Sequence, residues 1–308
     1  MVRNRFILPV LAALGVFALA GAVSSPAVAG PAPVQSPIAG LVNAINPLAC
    51  GLGVRKTDGS GGAWKCAFVD HFSGDTLDTR GWVVHRSETS GAMPKDACWD
   101  HDPNNVRVEG GALHLTVLKE EEPFVCKSPY GDFETIYSGG SVSTFGKFEQ
   151  TYGRYEVRAK FPDATVPGIH SAIWLTPKSQ SYGKWPASGE IDIAEFYSKY
   201  PDRFIPYLHY NRDAGDPVTN TQCKLNPREY NNYVLEWTPA GVLIGWNNRL
   251  CMAHRFDPAD PLEGSAPFDK PFALVLTQTL GIGQNPFDAE STPLPQTMSI
   301  DFVRIWEY

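Results

Sequence analysis

The chain has 308 residues, with 26 Lys+Arg against 33 Asp+Glu and a formal net charge of −7. That length leaves room for one large domain or two small ones. The acidic balance argues against a nucleic-acid or acidic-polymer partner.

Residues 1–29 read as a secretory signal. Arg3 and Arg5 charge the start, an apolar run follows from Phe6 to Ala20, and Ala27-Val28-Ala29 has the small-x-small pattern of a cleavage site. A membrane anchor is the weaker reading, because the run is short for a span and no stop-transfer charges follow it. With cleavage after Ala29 the mature chain keeps 24 Lys+Arg against 33 Asp+Glu, a net charge of about −9. All six cysteines (Cys50, Cys66, Cys98, Cys126, Cys223, Cys251) lie beyond this segment. An even number in an exported chain favours disulfides, and the spacing contains no CxxC pair to suggest zinc. Spacing does not fix the connectivity; pairing of sequence neighbours (50–66, 98–126, 223–251) is the expectation carried forward.

Residues 30–63 are rich in Pro, Gly, Ala and Ser and end in Asp58-Gly59-Ser60-Gly61-Gly62, the composition of a leader or linker. A short helical turn is expected at 41–48, and Cys50, if bridged, would tie this arm to the domain that follows at 64–308.

From Trp64 onward short strand-like runs recur between Gly, Pro, Asn and Asp. Residues 112–118 alternate, with Leu113, Leu115 and Val117 on one face. Residues 150–160 place Tyr152, Arg154, Glu156 and Arg158 on one face and Tyr155, Val157 and Ala159 on the other. Further strands are expected at 171–176, 189–197, 205–210, 233–238, 242–247, 272–280 and 298–306. No segment shows a sustained helical period, and no repeat is evident. Many short strands without helical crossovers predict an all-β chain, an antiparallel β-sandwich of jelly-roll type that leaves one concave face for a ligand.

The run Gly189-Glu190-Ile191-Asp192-Ile193-Ala194-Glu195-Phe196 holds three carboxylates within six residues of otherwise apolar sequence. Carboxylates are costly to bury in such surroundings and are usually functional when they occur there. On a strand Glu190 and Asp192 share a face, whereas Glu195, three residues on, would point the other way. A β-bulge at Ile193-Ala194 would bring it back, and bulges concentrate beside active sites. Near this run stand Trp174 and Trp185, with His209 on the following strand. Aromatic faces stack on the C–H faces of sugars, so a Trp-lined groove around carboxylates suggests a carbohydrate cleft. The plainer role of a large aromatic is to fill a sandwich core, and for Trp174, between Ile173 and Leu175, both roles fit. Trp185, in a Pro- and Gly-containing loop, reads better as a cleft residue.

The acidic run resembles the ExDxxE signature of glycoside hydrolase family 16, in its laminarinase-like branch. Four more segments resemble that family in the same order. These are Tyr152-Gly153-Arg154-Tyr155-Glu156-Val157-Arg158-Ala159-Lys160, Ser171-Ala172-Ile173-Trp174-Leu175-Thr176-Pro177, Glu236-Trp237-Thr238-Pro239 followed by Gly241, and Ile300-Asp301-Phe302-Val303-Arg304-Ile305-Trp306. The resemblance implies a secreted, retaining endo-β-glycosidase of jelly-roll fold that cuts β-1,3 or mixed β-1,3/1,4 glucan. It implies Glu190 as nucleophile, Glu195 as general acid/base and Asp192 as the support of the nucleophile. Retention needs two carboxyls about 5–5.5 Å apart, one ionised and one protonated, and crowding three acids favours leaving a proton on one of them. His209 resembles a histidine beside the acidic strand in laminarinase-like members; a structural hydrogen-bonding role fits it equally.

Two places depart from the pattern. His170 and Ser171 replace a Trp-Pro pair ahead of Trp174, and Thr277 stands where the family has an asparagine, with Gln278 beside it as an alternative polar contact. Trp174, Trp185, His209, Gln278 and His170 are accordingly the expected substrate-binding residues. No cofactor is expected. The resemblance leaves room for a structural calcium on the outer face near Asp301. A monomer acting on a β-linked polysaccharide, with no nucleic acid and no membrane span in the mature form, completes the expectation. Hydrolysis or transglycosylation of another β-linked polymer such as a galactan is the alternative, and a carbohydrate-binding module without catalysis the lesser one, since all three acids are present.

Overall fold

The computed structural model describes residues 49–51, 54–56, 62–90, 97–215 and 217–308; the signal (1–29) and the turn expected at 41–48 lie outside them. Seventeen strands run through the described residues in the order β1 (Lys65–Asp70), β2 (Val83–Val84), β3 (Ala97–Trp99), β4 (Val106–Glu109), β5 (Ala112–Cys126), β6 (Phe133–Ser143), β7 (Gly153–Lys160), β8 (Ile169–Pro177), β9 (Glu190–Tyr197), β10 (Arg203–His209), β11 (Val218–Thr219), β12 (Cys223–Lys224), β13 (Asn231–Thr238), β14 (Gly241–Trp246), β15 (Arg249–Arg255), β16 (Phe272–Leu280) and β17 (Gln296–Glu307). Helix among these residues is confined to α1 (Ser87–Ser90) and a 3-10 turn at Pro103–Asn105. The expected all-β class is what the chain adopts.

Pairing sorts the strands into two runs. In one, β2, β6, β16, β8, β9, β10 and β11 are neighbours in that order, all antiparallel. In the other, β4, β5, β17, β7, β13, β14 and β15 follow one another, with β1 also on β17. The fifteen-residue β5 serves both, pairing with β17 at its start and with β6 at its end. Apolar side chains from both runs meet in one core. Ile173, Leu175, Ile191, Ile193 and Phe196 come from the first, and Leu115, Val157, Leu235, Trp237 and Ile300 from the second. A sandwich of this kind is the stable way for two one-sided sheets to bury their apolar faces.

The period-2 reading holds strand by strand. In β7, Tyr155, Val157 and Ala159 are buried while Arg154, Glu156 and Arg158 are partly exposed. Leu113, Leu115 and Val117 are fully buried in β5. The register of β16 departs from this simple pattern, for all nine residues are buried. It lies between β6 and β8, and its outward residues are covered as well. The sequence reading omitted β6, whose Ser-Gly-Gly-Ser centre has poor strand propensity. The glycine is required there by close approach: a Cβ on Gly140 would sit 2.1 Å from the Asn105 carbonyl oxygen.

Three disulfides, Cys50–Cys66, Cys98–Cys126 and Cys223–Cys251, join sequence neighbours as expected. The first carries part of the segment read as a leader onto the domain, where Cys50, Trp64, Cys66 and Trp306 form a small buried cluster. No helix among the described residues is long and apolar enough to cross a membrane.

Candidate active site

The acidic run forms β9, and its register contains the bulge that the sequence requires. Ile173 pairs with Ala194 and Trp174 with Asp192, so Ile193 has no opposite number on β8. On the other side Ile205 pairs with Glu195 and Tyr207 with Asp192, so two steps on β10 match three on β9. Ala172 and Trp174 are two apart on a regular strand and share a face; their partners Glu195 and Asp192 therefore share it too. His209, opposite Glu190, extends the row. Ile191, Ile193, Ala194 and Phe196 are left to the core. Gly189 immediately precedes the strand; its φ is +83° and a Cβ there would sit 2.8 Å from the Phe268 ring, so glycine is required.

Ligating atoms of Glu190, Asp192 and His209 all lie within 4.8 Å of one another. Asp192 is the deepest of the three acids at 4% exposure, and its Oδ2 lies 3.5 Å from His209 Nε2. The exposed Trp185 indole stands 5.2 Å from the His209 ring, which in turn stacks on Tyr207. Glu195 has a different set of partners. The Tyr197 hydroxyl donates to its Oε2 at 2.6 Å, and His170 Nε2 lies 2.9 Å from its Oε1. Burial first, and then the adjacent Glu195 carboxylate, push the Tyr197 phenol far above its ordinary range, so it is a fixed donor. Tyr207 is raised for the same reasons in the same order. Beside Glu195 opens a cavity of about 550 Å³ walled by Tyr197, Tyr200, Arg203, Ile205, Tyr207 and Ile282, among others.

On the other side of β9, the face continues as a polar floor. Trp174 Nε1 donates to Thr277 Oγ1 at 3.0 Å, and Thr277 Oγ1 lies 3.2 Å from Ser141 Oγ. His85 closes the chain, with Nδ1 3.1 Å from Ser141 Oγ and Nε2 2.8 Å from Ser143 Oγ. Burial pushes the His85 imidazole down to about 4, so it is neutral at ordinary pH.

Seven of the expected residues thus gather on one face: Glu190, Asp192, Glu195, Trp174, Trp185, His209 and His170. Gln278 does not. It pairs with Ser171, is fully buried, and accepts a hydrogen bond from the Ser171 hydroxyl on the interior side. One residue along a strand reverses the face, so Thr277 presents to the floor and Gln278 to the core. Asp301 lies on β17, in the other run of strands. Its carboxylate is held by the Arg158 guanidinium, and it has no part in the Glu190–Asp192–His209 cluster. Tyr197 and Tyr207 entered the site without being expected as binding residues, although Tyr197 lies two residues past Glu195 and alternation alone would place it there. His85 and Ser141 left no local signal, being brought in by pairing across β2 and β6.

A model of the glycosyl hydrolases family 16 matches residues 93–274. The glucan endo-1,3-beta-glucosidase A1 of Niallia circulans is 30% identical over 273 residues, covering 82% of this chain and 39% of that protein. The keratan-sulfate endo-1,4-beta-galactosidase of Sphingobacterium multivorum is 33% identical over 199 residues, 62% of this chain and 44% of that protein. The chain therefore spans less than half the length of these two relatives. Among solved structures, the laminarinase from Rhodothermus marinus is similar with a TM-score of 0.66 at 27% identity, covering 79% of this chain and 97% of that one.

Proposed function

Because this chain belongs to the glycosyl hydrolases of family 16, we propose that it is a secreted, monomeric endo-β-glycosidase that cuts internal β-1,3, or mixed β-1,3 and β-1,4, glucan linkages with retention at the anomeric carbon. The observation that carries this reading is the bulge at Ile193–Ala194, which sets Glu195 on the same face as Glu190 and Asp192. In the first half-reaction Glu190 attacks the anomeric carbon while Glu195 gives a proton to the departing glycosidic oxygen. In the second, water attacks the glycosyl–Glu190 ester, its proton goes to Glu195, and Glu190 leaves as a carboxylate. Asp192, buried beside Glu190 and His209, holds the nucleophile in place and keeps negative charge around it. Trp185 and Trp174 offer aromatic surface to sugar rings, and Thr277, Ser141 and His85 brace the Trp174 indole through a chain of hydrogen bonds. Three disulfides suit an oxidising, extracellular setting.

Product analysis on laminarin, lichenan, agarose and a β-galactan, with the anomer of the first product followed by proton NMR, tests the reading. Internal cleavage of a glucan giving the β-anomer first is expected; an α-anomer first, or no cleavage of any of them, overturns it. A second reading, the same chemistry on a β-linked galactan or transfer to a sugar acceptor, is supported by the galactosidase among the relatives and is decided by the same panel.

A further inference from the structure

We infer that His170 is a positioning residue that shares the acid/base proton with Glu195, so that the pair, and not Glu195 alone, carries the proton delivered to the leaving group. This rests on the retaining-hydrolase reading above. It comes from a position where the sequence departs from the pattern it otherwise resembles, a histidine standing in place of a tryptophan.

The geometry is specific. Both oxygens of Glu195 have a fixed neighbour, Tyr197 Oη at 2.6 Å from Oε2 and His170 Nε2 at 2.9 Å from Oε1. The two neighbours also stack on each other, ring centroids 4.8 Å apart and 29° from parallel. Side-chain exposure is 22% for His170 and 13% for Glu195, so solvent competes weakly for their bond. Of the two, only His170 presents a ring nitrogen that can serve as either donor or acceptor, since Tyr197 is a permanent donor. The other ionisable groups around Glu195 are differently engaged. Glu190, Asp192 and His209 form their own cluster. From β10, Arg203 is paired with Asp202, and Tyr207 is held protonated chiefly by burial. From β16 the register neighbour of His170 is Thr279, which does not titrate.

The proton count closes. Before glycosylation the pair holds one proton on the Nε2–Oε1 line, either as Glu195 O–H donating to neutral His170 or as imidazolium donating to carboxylate. When the anomeric C–O bond breaks, its electron pair goes to the leaving oxygen, which takes this proton, and Glu190 forms the new bond to carbon. His170, now neutral, keeps its remaining ring proton on Nδ1, and Tyr197 continues to donate to the bare Glu195 carboxylate. Water then adds to the anomeric carbon and returns one proton to the pair.

The test compares wild type with His170→Gln, which can hydrogen-bond but cannot take up a proton. Steady-state pH profiles are measured on β-glucan and on a nitrophenyl glycoside of a β-1,3-glucan oligomer, whose leaving group needs little protonation. On the polymer, kcat should fall about 10- to 100-fold near neutral pH, with the alkaline limb moved to lower pH and KM within about threefold. On the activated glycoside the rate of nitrophenol release should fall far less. An unshifted pH profile, or equal loss on both substrates, overturns the proposal. Glu195→Ala, run alongside, separates it from the functional reading: if that variant still cuts the polymer, the acid/base assignment itself fails. Should His170→Gln not fold, the wild-type chain with 15N-labelled histidine decides the point, because the His170 Nε2 resonance must titrate together with the alkaline limb, and a flat resonance across that range refutes the sharing.

Discussion

Trp174 and Thr277 are joined by a 3.0 Å hydrogen bond from the indole Nε1 to the threonine hydroxyl, and through it the aromatic opposite Asp192 is tied to Ser141, two strands away, and to His85 beyond it. The bond fixes the plane of a ring that would otherwise be free to turn about its side-chain torsions. It also explains the use of threonine at that position: a short hydroxyl reaches the indole and Ser141 at once.

Thr277→Val keeps the shape and removes the hydroxyl, leaving the Trp174 N–H and Ser141 with one partner fewer. A loss of about 1–2 kcal/mol in stability is expected. KM on polymer should rise severalfold with kcat nearly unchanged, because Thr277 steadies the Trp174 indole proposed to bind sugar and touches no reacting atom. Kinetics with a thermal-unfolding curve check this; a fall in kcat at constant KM would place Thr277 in the chemistry instead.

Glu190→Gln and Glu195→Gln replace a carboxyl by an amide of nearly the same volume, which can neither attack nor exchange the proton. Each should lower polymer hydrolysis by at least about a thousandfold while circular dichroism stays that of the wild type. Near-wild-type turnover by either variant would remove that residue from its assigned role.

His85 makes the fold sensitive to acid. Its imidazole is held by burial at about 4, whereas an unfolded histidine titrates near 6.5. The unfolded chain therefore binds the extra proton first, so this group's contribution is full above about 6.5 and is lost as pH falls toward 4. Urea unfolding of wild type at pH 4.5 and pH 7 should show a difference of about 2–3 kcal/mol from this one residue. His85→Gln should flatten that part of the pH dependence, and an unchanged slope in the variant would reassign it to other groups.

The Cys98–Cys126 bridge closes 28 residues and ties β3 to the end of β5. The double variant Cys98→Ser/Cys126→Ser should lose about 2–4 kcal/mol of stability. Thiol titration of the denatured wild-type protein should find no reactive cysteine, and six would refute all three bridges.

Much of the fold was legible because strand alternation is written directly into the chain. Leu113, Leu115 and Val117, or Tyr155, Val157 and Ala159, need no partner to declare which face is apolar. The reading failed at β6, where Gly139 and Gly140 are chosen for close packing against Gln278 and Asn105, a requirement set by distant residues. It failed again at Gln278. A polar side chain looks the same in sequence whether it faces a ligand or the core, and only register and neighbours tell these apart.

The sequence alone determined that Glu190, Asp192 and Glu195 belong to one strand, and that Glu195 would need an extra residue to join the other two, because the strand period is two. Only the tertiary structure decided what each carboxylate faces. Pairing with β8 and β10 creates the bulge, brings His209 to Asp192, and sets Tyr197 and His170 on the two oxygens of Glu195. Proton position depends on such contacts at the scale of a single hydrogen bond, made between residues that the chain order keeps apart.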